Sequence, residues 1–344
     1  MPRILVLPPT PLYAEIVTPE ADAKLASLGD VDRNESARNL PREAVLERVA
    51  GADAVLTSWG APLFDQALLD RAPQLKIIAH AAGTIKGFVP PLVFDRGIAV
   101  SHAAAVIADS VGEWTLTVTL GALRRLVDFD KIMRPTAEAA PGMRPGGWGE
   151  DKRAVGYGNE LYGKRVGIIA ASLTGRAFMR LLQPFRCEVL VYDPYVPEAA
   201  AAELGARKVP DLAELMRRCD VVSNHAPTTP ETDGMISAAM LARLPDGALF
   251  INTARAAAID YQALTAELER GRIRAALDVF PTEPLPDDSP LRRLPNVLLS
   301  PHVAGATVES RLRLGSTMID ELARFFAGEP LRYAVRRAQL ATMA

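Results

Sequence analysis

Cysteine is nearly missing: Cys187 and Cys219 are the only two in 344 residues. Two thiols cannot build a disulfide framework, and neither belongs to a Cys-x-x-Cys pair, which points to a reducing compartment. An excess of either charge is missing as well, because 39 basic residues face 41 acidic ones for a net charge of −2. Without a long basic run, nucleic-acid backbone binding is excluded as the main task. Long apolar runs are absent too, and no segment approaches the roughly 18 uninterrupted apolar residues of a membrane span. The opening MPRILVLPPT carries a short apolar run that ends in a double proline, too brief for a signal-peptide core. The expectation is a soluble cytoplasmic protein with no membrane and no nucleic-acid partner.

What is present suits a folded protein. Hydrophobic residues at 49% and charged residues at 23% match soluble globular averages and exclude disorder for the bulk of the chain. At roughly 100–200 residues per domain, the length favours two domains. Short apolar runs read as buried strands at 3–7, 53–58, 75–80 and 97–101, with helical patterns between them at 41–50 and 64–72. The rhythm restarts at 165–170 and continues through 188–193, 220–225, 247–252, 273–279 and 296–300. Such alternation is the signature of parallel sheets built from βαβ units, so an α/β chain with two Rossmann-like domains is expected. A long helical pattern over 109–126 separates the halves and is followed by an arm over 134–162 broken by Pro135, Pro141 and Pro145. The last helical pattern, 307–328, carries an apolar face suited to packing back on the first sheet.

The second half opens with strand, turn, helix, strand and acid, the layout that binds a dinucleotide. Of the three glycines in the G-x-G-x-x-G fingerprint only Gly175 is present, with Ala170 and Ser172 at the other two positions. Alanine can hold the turn if its φ stays negative, and the serine hydroxyl can itself donate to a phosphate oxygen. Free amides at the helix N-terminus still offer an anion site, with the charge of Arg176 beside it. Asp193, at the end of the next strand, would accept from a ribose 2′-hydroxyl and repel a 2′-phosphate, which favours NAD over NADP. An ordinary strand–helix turn would look similar over this stretch alone.

Further along, Arg255, Glu283 and His302 each follow a predicted strand. In open α/β sheets ligands bind beyond the carboxyl ends of strands, so the three should converge. An arginine fork can hold a carboxylate and polarise the adjoining carbonyl. Histidine can pass a proton to the oxygen as hydride reaches the carbon, and a neighbouring carboxylate fixes its tautomer and favours its protonated form. His80, His102 and His225 are read as structural or lining residues.

The words HAAGTIKGF, SVGEWTL, VYDPY, APTTPET, INTAR, ALDVFPTEP and SPHVAGAT resemble those of the D-isomer-specific 2-hydroxyacid dehydrogenase family over about 75–328. The resemblance implies an NAD-dependent enzyme that interconverts a small 2-oxo acid and its D-2-hydroxy acid, needs no metal and works as a homodimer. It implies catalytic roles for Arg255, Glu283 and His302. It puts Leu173, Thr174, Gly175, Arg176, Asp193, Ala226, Thr232, Thr253 and Ala254 at cofactor contacts, with Asp278 and Gly305 at the nicotinamide carboxamide. Ala82, Gly83 and Thr84, together with Arg255, would receive the substrate carboxylate. A discontinuous substrate domain, 1–111 plus 308–344, would enclose an NAD-binding domain over 112–307. The sequence departs from the family at Ala170 and Ser172, at Ala256 where glycine usually follows the arginine, and at Lys86–Gly87 where relatives carry Asp-Asn. Formate dehydrogenases of the same superfamily have glutamine in place of the acid, so Glu283 argues against that branch. The rival reading, drawn from the altered turn, is a non-catalytic regulator that senses NAD(H) or has lost its cofactor.

Overall fold

The computed structural model describes residues 1–133, 156–341 and 343. The chain divides into two compact units, Met1–Ser110 with Gly305–Ala344, and Val111–Ala304. The first unit holds a parallel sheet of β1 (Arg3–Val6), β2 (Asp30–Arg33), β3 (Ala54–Thr57), β4 (Ile77–His80) and β5 (Ala99–His102), in the order β2-β1-β3-β4-β5. Successive strand residues face opposite sides, as the period of two requires. Leu5, Val55, Ile78 and Val100 pack on one face, while Ile4, Val6, Leu56, Ile77 and Ala79 pack on the other. Both faces are covered, which is why these strands read as unbroken apolar runs.

The helix Val308–Phe326 supplies much of that second cover through Leu314, Met318, Ile319 and Leu322, and it packs on β3, β4 and β5 as its sequence suggested. Thr307 and Ser310 form a reciprocal capping box at its start. Gly315 lies where the helix meets Thr10–Ile16, and a Cβ there would sit 2.4 Å from the Ile16 carbonyl oxygen.

In the second unit β6 (Arg165–Ile169), β7 (Glu188–Tyr192), β8 (Ala206–Lys208), β9 (Val221–Asn224), β10 (Leu249–Asn252), β11 (Arg274–Leu277) and β12 (Val297–Leu299) form a parallel sheet. Its order is β12-β11-β10-β9-β6-β7-β8, so the chain reverses direction across the sheet at β6 and β9. That reversal opens a crevice beyond the carboxyl end of β6, where a ligand can enter.

Three differences from the sequence reading have physical causes. The connecting helix runs Ala104–Leu123 instead of 109–126. Its alanine-rich start extends it toward β5, and Arg125 at φ 56° ends it in a left-handed turn. The strands β2 and β8 were not expected, because their DVDR and ARK sequences carry charge where apolar alternation would signal a strand. Both lie at sheet edges, where charge guards against edge-to-edge pairing. Of the expected arm, residues 134–155 lie outside the described residues. Among the described residues no helix is long and apolar enough to cross a membrane.

Replacing Gly315 by alanine should destabilise the protein by about 1–3 kcal/mol, the usual cost of overpacking against a surface that cannot yield. Thermal or denaturant unfolding checks it, and an unchanged midpoint would mean the two helices slide apart freely.

Candidate active site

The strand ends of the second unit carry a buried polar layer that aims its loops. Asn224 closes β9, and its Nδ2 donates to Asn252 Oδ1 at 3.1 Å at the end of the neighbouring β10. Asn252 in turn donates to the Arg255 carbonyl and to the Tyr261 hydroxyl, both at 3.2 Å, and accepts from the Ala254 amide at 3.2 Å. The Tyr261 hydroxyl donates a hydrogen bond to the Val279 carbonyl beyond β11. Burial pushes its phenol well above the ordinary tyrosine range, so it stays a neutral donor. Arg255 therefore leaves a strand end fixed on three sides. Ala256, in the place of the usual glycine, fits a short 3-10 turn over Ala256–Ala258 with no left-handed residue.

Glu283 and His302 come from the adjacent strands β11 and β12. The carboxylate accepts the Phe280 amide at 2.9 Å on Oε1 and meets His302 Nδ1 at 2.7 Å on Oε2. Burial alone would raise this carboxyl. The hydrogen bonds from His302 and Phe280 and the charges of His302 and Arg255 outweigh it and hold the group below its ordinary value. Arg255 feels the same carboxylate, although burial works against its charge.

His302 sits at φ 55°, an uncommon backbone for a residue with a side chain. Asp278, only 1% exposed, imposes that bend. Its carboxylate accepts the Ser300 hydroxyl and the amides of Val303 and Ala304, each amide at 2.9 Å, and its own carbonyl accepts the His302 amide at 2.8 Å. Sequence reading marked Asp278 for a cofactor contact and missed this loop-holding role. The roles of Asn252 and Tyr261 were missed as well, although Asn at the end of a buried strand is a usable signal because a buried amide must find partners.

At the dinucleotide turn one expectation is overturned. Ala170 does not keep a negative φ; it stands at 70°, the conformation for which the fingerprint normally uses glycine. The left-handed region costs a residue with a Cβ about 1–2 kcal/mol. Asp193 helps hold it there: its carboxylate, 8% exposed, accepts the Ala171 and Tyr195 amides at 2.8 Å and the Val196 amide at 3.2 Å. Three of about four acceptor positions are thus taken, leaving one for a ribose hydroxyl. Gly175 is required on steric grounds, since a Cβ would lie 2.4 Å from the Ala170 carbonyl oxygen. Ser172 caps the helix Leu173–Leu182 by accepting the Gly175 amide at 3.4 Å. Arg176 folds back, its Nε donating to the Ala171 carbonyl at 2.8 Å. Ala226 is buried, and the Thr232 hydroxyl is spent within its own loop on Pro227 and Thr229.

A dinucleotide fits these residues. The Leu173 and Thr174 amides have no hydrogen bond among the described residues. Thr253 Oγ1, at the end of β10, is buried with no partner there either, which is an expensive state unless a ligand supplies one.

In the first unit, Ala82, Gly83 and Thr84 follow β4 between the buried His80 and the half-buried His102. The Ala82 carbonyl accepts the Ala103 amide at 3.2 Å, and Thr84 Oγ1 accepts the Lys86 amide at 3.2 Å. Burial, then the neighbouring His102, push His80 down to about 3, and burial lowers His102 as well. Their rings hold the backbones of Thr84 and Gly83. Both act as neutral supports. Gly305 belongs to this unit, and its carbonyl accepts the Ser310 hydroxyl at 2.8 Å.

Residues 129–304 match a family model described as the NAD binding domain of D-isomer specific 2-hydroxyacid dehydrogenases. The chain is 34% identical over 322 residues to D-3-phosphoglycerate dehydrogenase of Mycobacterium tuberculosis, which covers 93% of this chain and 57% of that protein. It is 35% identical over 292 residues to glyoxylate reductase of Thermofilum pendens, which covers 84% of this chain and 82% of the reductase. The chain spans 57% of the length of the first curated relatives it matches. Among solved structures it resembles a phosphoglycerate oxidoreductase from Rhizobium etli, with a TM-score of 0.78 at 27% identity over 98% of each chain.

Ala170→Gly should stabilise the protein by up to about 1 kcal/mol, the left-handed strain released less the added chain entropy; a lower melting temperature would contradict the strain. The lowered Glu283 carboxyl adds stability that is complete above the ordinary glutamate value of 4.5 and is lost as pH falls through the lower folded value. Glu283→Gln should therefore flatten the melting-temperature profile on the acid side of pH 4.5.

Proposed function

Because the chain belongs to the D-isomer specific 2-hydroxyacid dehydrogenase family, we propose that it interconverts a small 2-oxo acid and the corresponding D-2-hydroxy acid with NAD(H). The observation that carries this reading is the 2.7 Å contact between His302 Nδ1 and Glu283 Oε2, beside an arginine whose charge is poorly solvated. Bound NAD(H) supplies or accepts the hydride.

The amides of Leu173 and Thr174 would take its pyrophosphate, with Gly175 allowing close approach and Arg176 adding charge. The remaining acceptor position of Asp193 suits a ribose hydroxyl and disfavours a 2′-phosphate. Ala226, Thr232, Thr253 and Ala254 would line the cofactor, and Asp278 and Gly305 would meet its carboxamide.

Arg255 grips the substrate carboxylate with two parallel N–H groups and draws electron density from the adjacent carbonyl. For Ala82, Gly83 and Thr84 the likeness to the family supports a substrate-binding role. Glu283 accepts the Nδ1 proton of His302, which leaves Nε2 as the atom that exchanges a proton with the substrate oxygen. During reduction His302 donates that proton, and during oxidation it accepts it. The ionised Glu283 offsets the positive charge on the ring while the proton is held. A protein that only senses NAD(H) has no use for such a proton donor with its orienting acid. The active form is proposed to be a homodimer, which sedimentation velocity checks.

His302→Ala should lower kcat at least ~100-fold in NADH-linked reduction of a panel of 2-oxo acids. Wild-type turnover in that variant would remove the histidine from the chemistry. Arg255→Ala should depress kcat/KM through both binding and turnover, and an unchanged kcat/KM would end the carboxylate role.

A further inference from the structure

One peptide group at the start of the Glu283 loop is gripped from both sides, and the scheme above uses only one of the two grips. The peptide joins Val279 to Phe280, which are 2% and 7% exposed. Its N–H, on Phe280, donates to Glu283 Oε1 at 2.9 Å, and Glu283 Oε2 meets His302 Nδ1 at 2.7 Å. Its carbonyl, on Val279, accepts the Tyr261 hydroxyl, and no other donor reaches that oxygen among the described residues. We propose that Tyr261 is a positioning residue for the proton-exchanging pair: by fixing this peptide it aims the amide that holds Glu283 opposite His302. The proposal rests on the dehydrogenase reading given above.

The directions of the hydrogen bonds leave no freedom. A carbonyl oxygen only accepts, and an amide nitrogen only donates. Asn252 Nδ2 has two protons, which go to the Arg255 carbonyl and to the Tyr261 oxygen, each at 3.2 Å. The Tyr261 proton therefore points to Val279. Burial holds the phenol well above the ordinary tyrosine range, so the hydroxyl keeps that proton at neutral pH. A carbonyl that accepts a hydrogen bond polarises its peptide, which makes the N–H on the far side a better donor. Tyr261 thus acts twice on Glu283, through the angle of the amide and through its strength.

The two sides of Tyr261 depend on it unequally. Toward Arg255, the strand end is also held by the Asn224–Asn252 bond and by the Ala254 amide. Toward Glu283, the Val279 carbonyl has Tyr261 alone among the described residues. Loss of the hydroxyl releases the acid–base side and leaves the arginine side in place. A carboxylate freed from its amide can turn from the imidazole toward the Arg255 guanidinium, whose charge it already feels.

The test compares Tyr261→Phe, Glu283→Gln and the double variant in NADH-linked reduction of the 2-oxo acid that the wild-type protein turns over fastest. Melting temperature and NADH affinity check the fold. Tyr261→Phe should lower kcat about ten-fold, with the KM of the oxo acid changed less than about two-fold and NADH affinity unchanged. In the Glu283→Gln background the same substitution should cost less than about two-fold more, because the two residues act as one unit. Full additivity, or a loss that falls on KM, would overturn the proposal while wild-type turnover leaves the dehydrogenase reading standing. Should Tyr261→Phe not fold, protein labelled at tyrosine 13Cζ gives the second measurement. Glu283→Gln should shift one of the seven tyrosine resonances, and seven unmoved resonances would overturn the proposal as well. If the wild-type protein binds NADH and reduces no 2-oxo acid, the dehydrogenase reading itself falls, and this proposal with it.

Discussion

The Asp278 carboxylate is the constraint on which the site depends. It is buried to 1% exposure and meets its need for partners by drawing in the whole of the loop after β12. A polar group taken from water is costly unless its hydrogen bonds are met, so the loop is not free to relax. The bend at His302 is the price of that satisfaction. Because β11 and β12 are neighbours in register, the loop bearing Glu283 starts beside the loop bearing His302, and their 2.7 Å contact follows from strand order. Asn252 and Tyr261 extend the same logic one strand further, fastening the end of β10 to the backbone beyond β11.

The parallel strands were legible because both of their faces are buried. Ile4, Leu5 and Val6 or Val189, Leu190 and Val191 leave little doubt, whereas DVDR and ARK at the sheet edges carry no such imprint. The meeting of Glu283 with His302 was also legible, since each follows a strand and neighbouring strand ends lie side by side in a parallel sheet. What stayed hidden is how they are held. Nothing in the local sequence around Asp278 says that its acceptors will be filled by residues more than twenty positions away, as with Val303 and Ala304. Ala170 was hidden for another reason. Its φ of 70° is set by surrounding groups, among them the Asp193 carboxylate on the next amide and the close pass of Gly175, and not by alanine's own preference.

Histidines taken largely out of water serve here as neutral struts. His80 and His102 support the backbone after β4, and His225 supports Thr174, with desolvation in each case opposing a charge that would disturb the hydrogen bonds. His302 differs by position: half of its side chain is exposed and a carboxylate faces its Nδ1. The same residue type is thus set in two environments, one largely out of water and one open to it beside a carboxylate.

Arg255, Glu283, His302 and the dinucleotide turn all lie in one unit, while Ala82, Gly83, Thr84 and the atypical Lys86–Gly87 pair lie in the other. Substitutions can accumulate in the second without touching the Glu283–His302 contact or the hydrogen bonds that hold it. A lineage built this way can vary one part of its chain while the bonds that set the other are inherited intact.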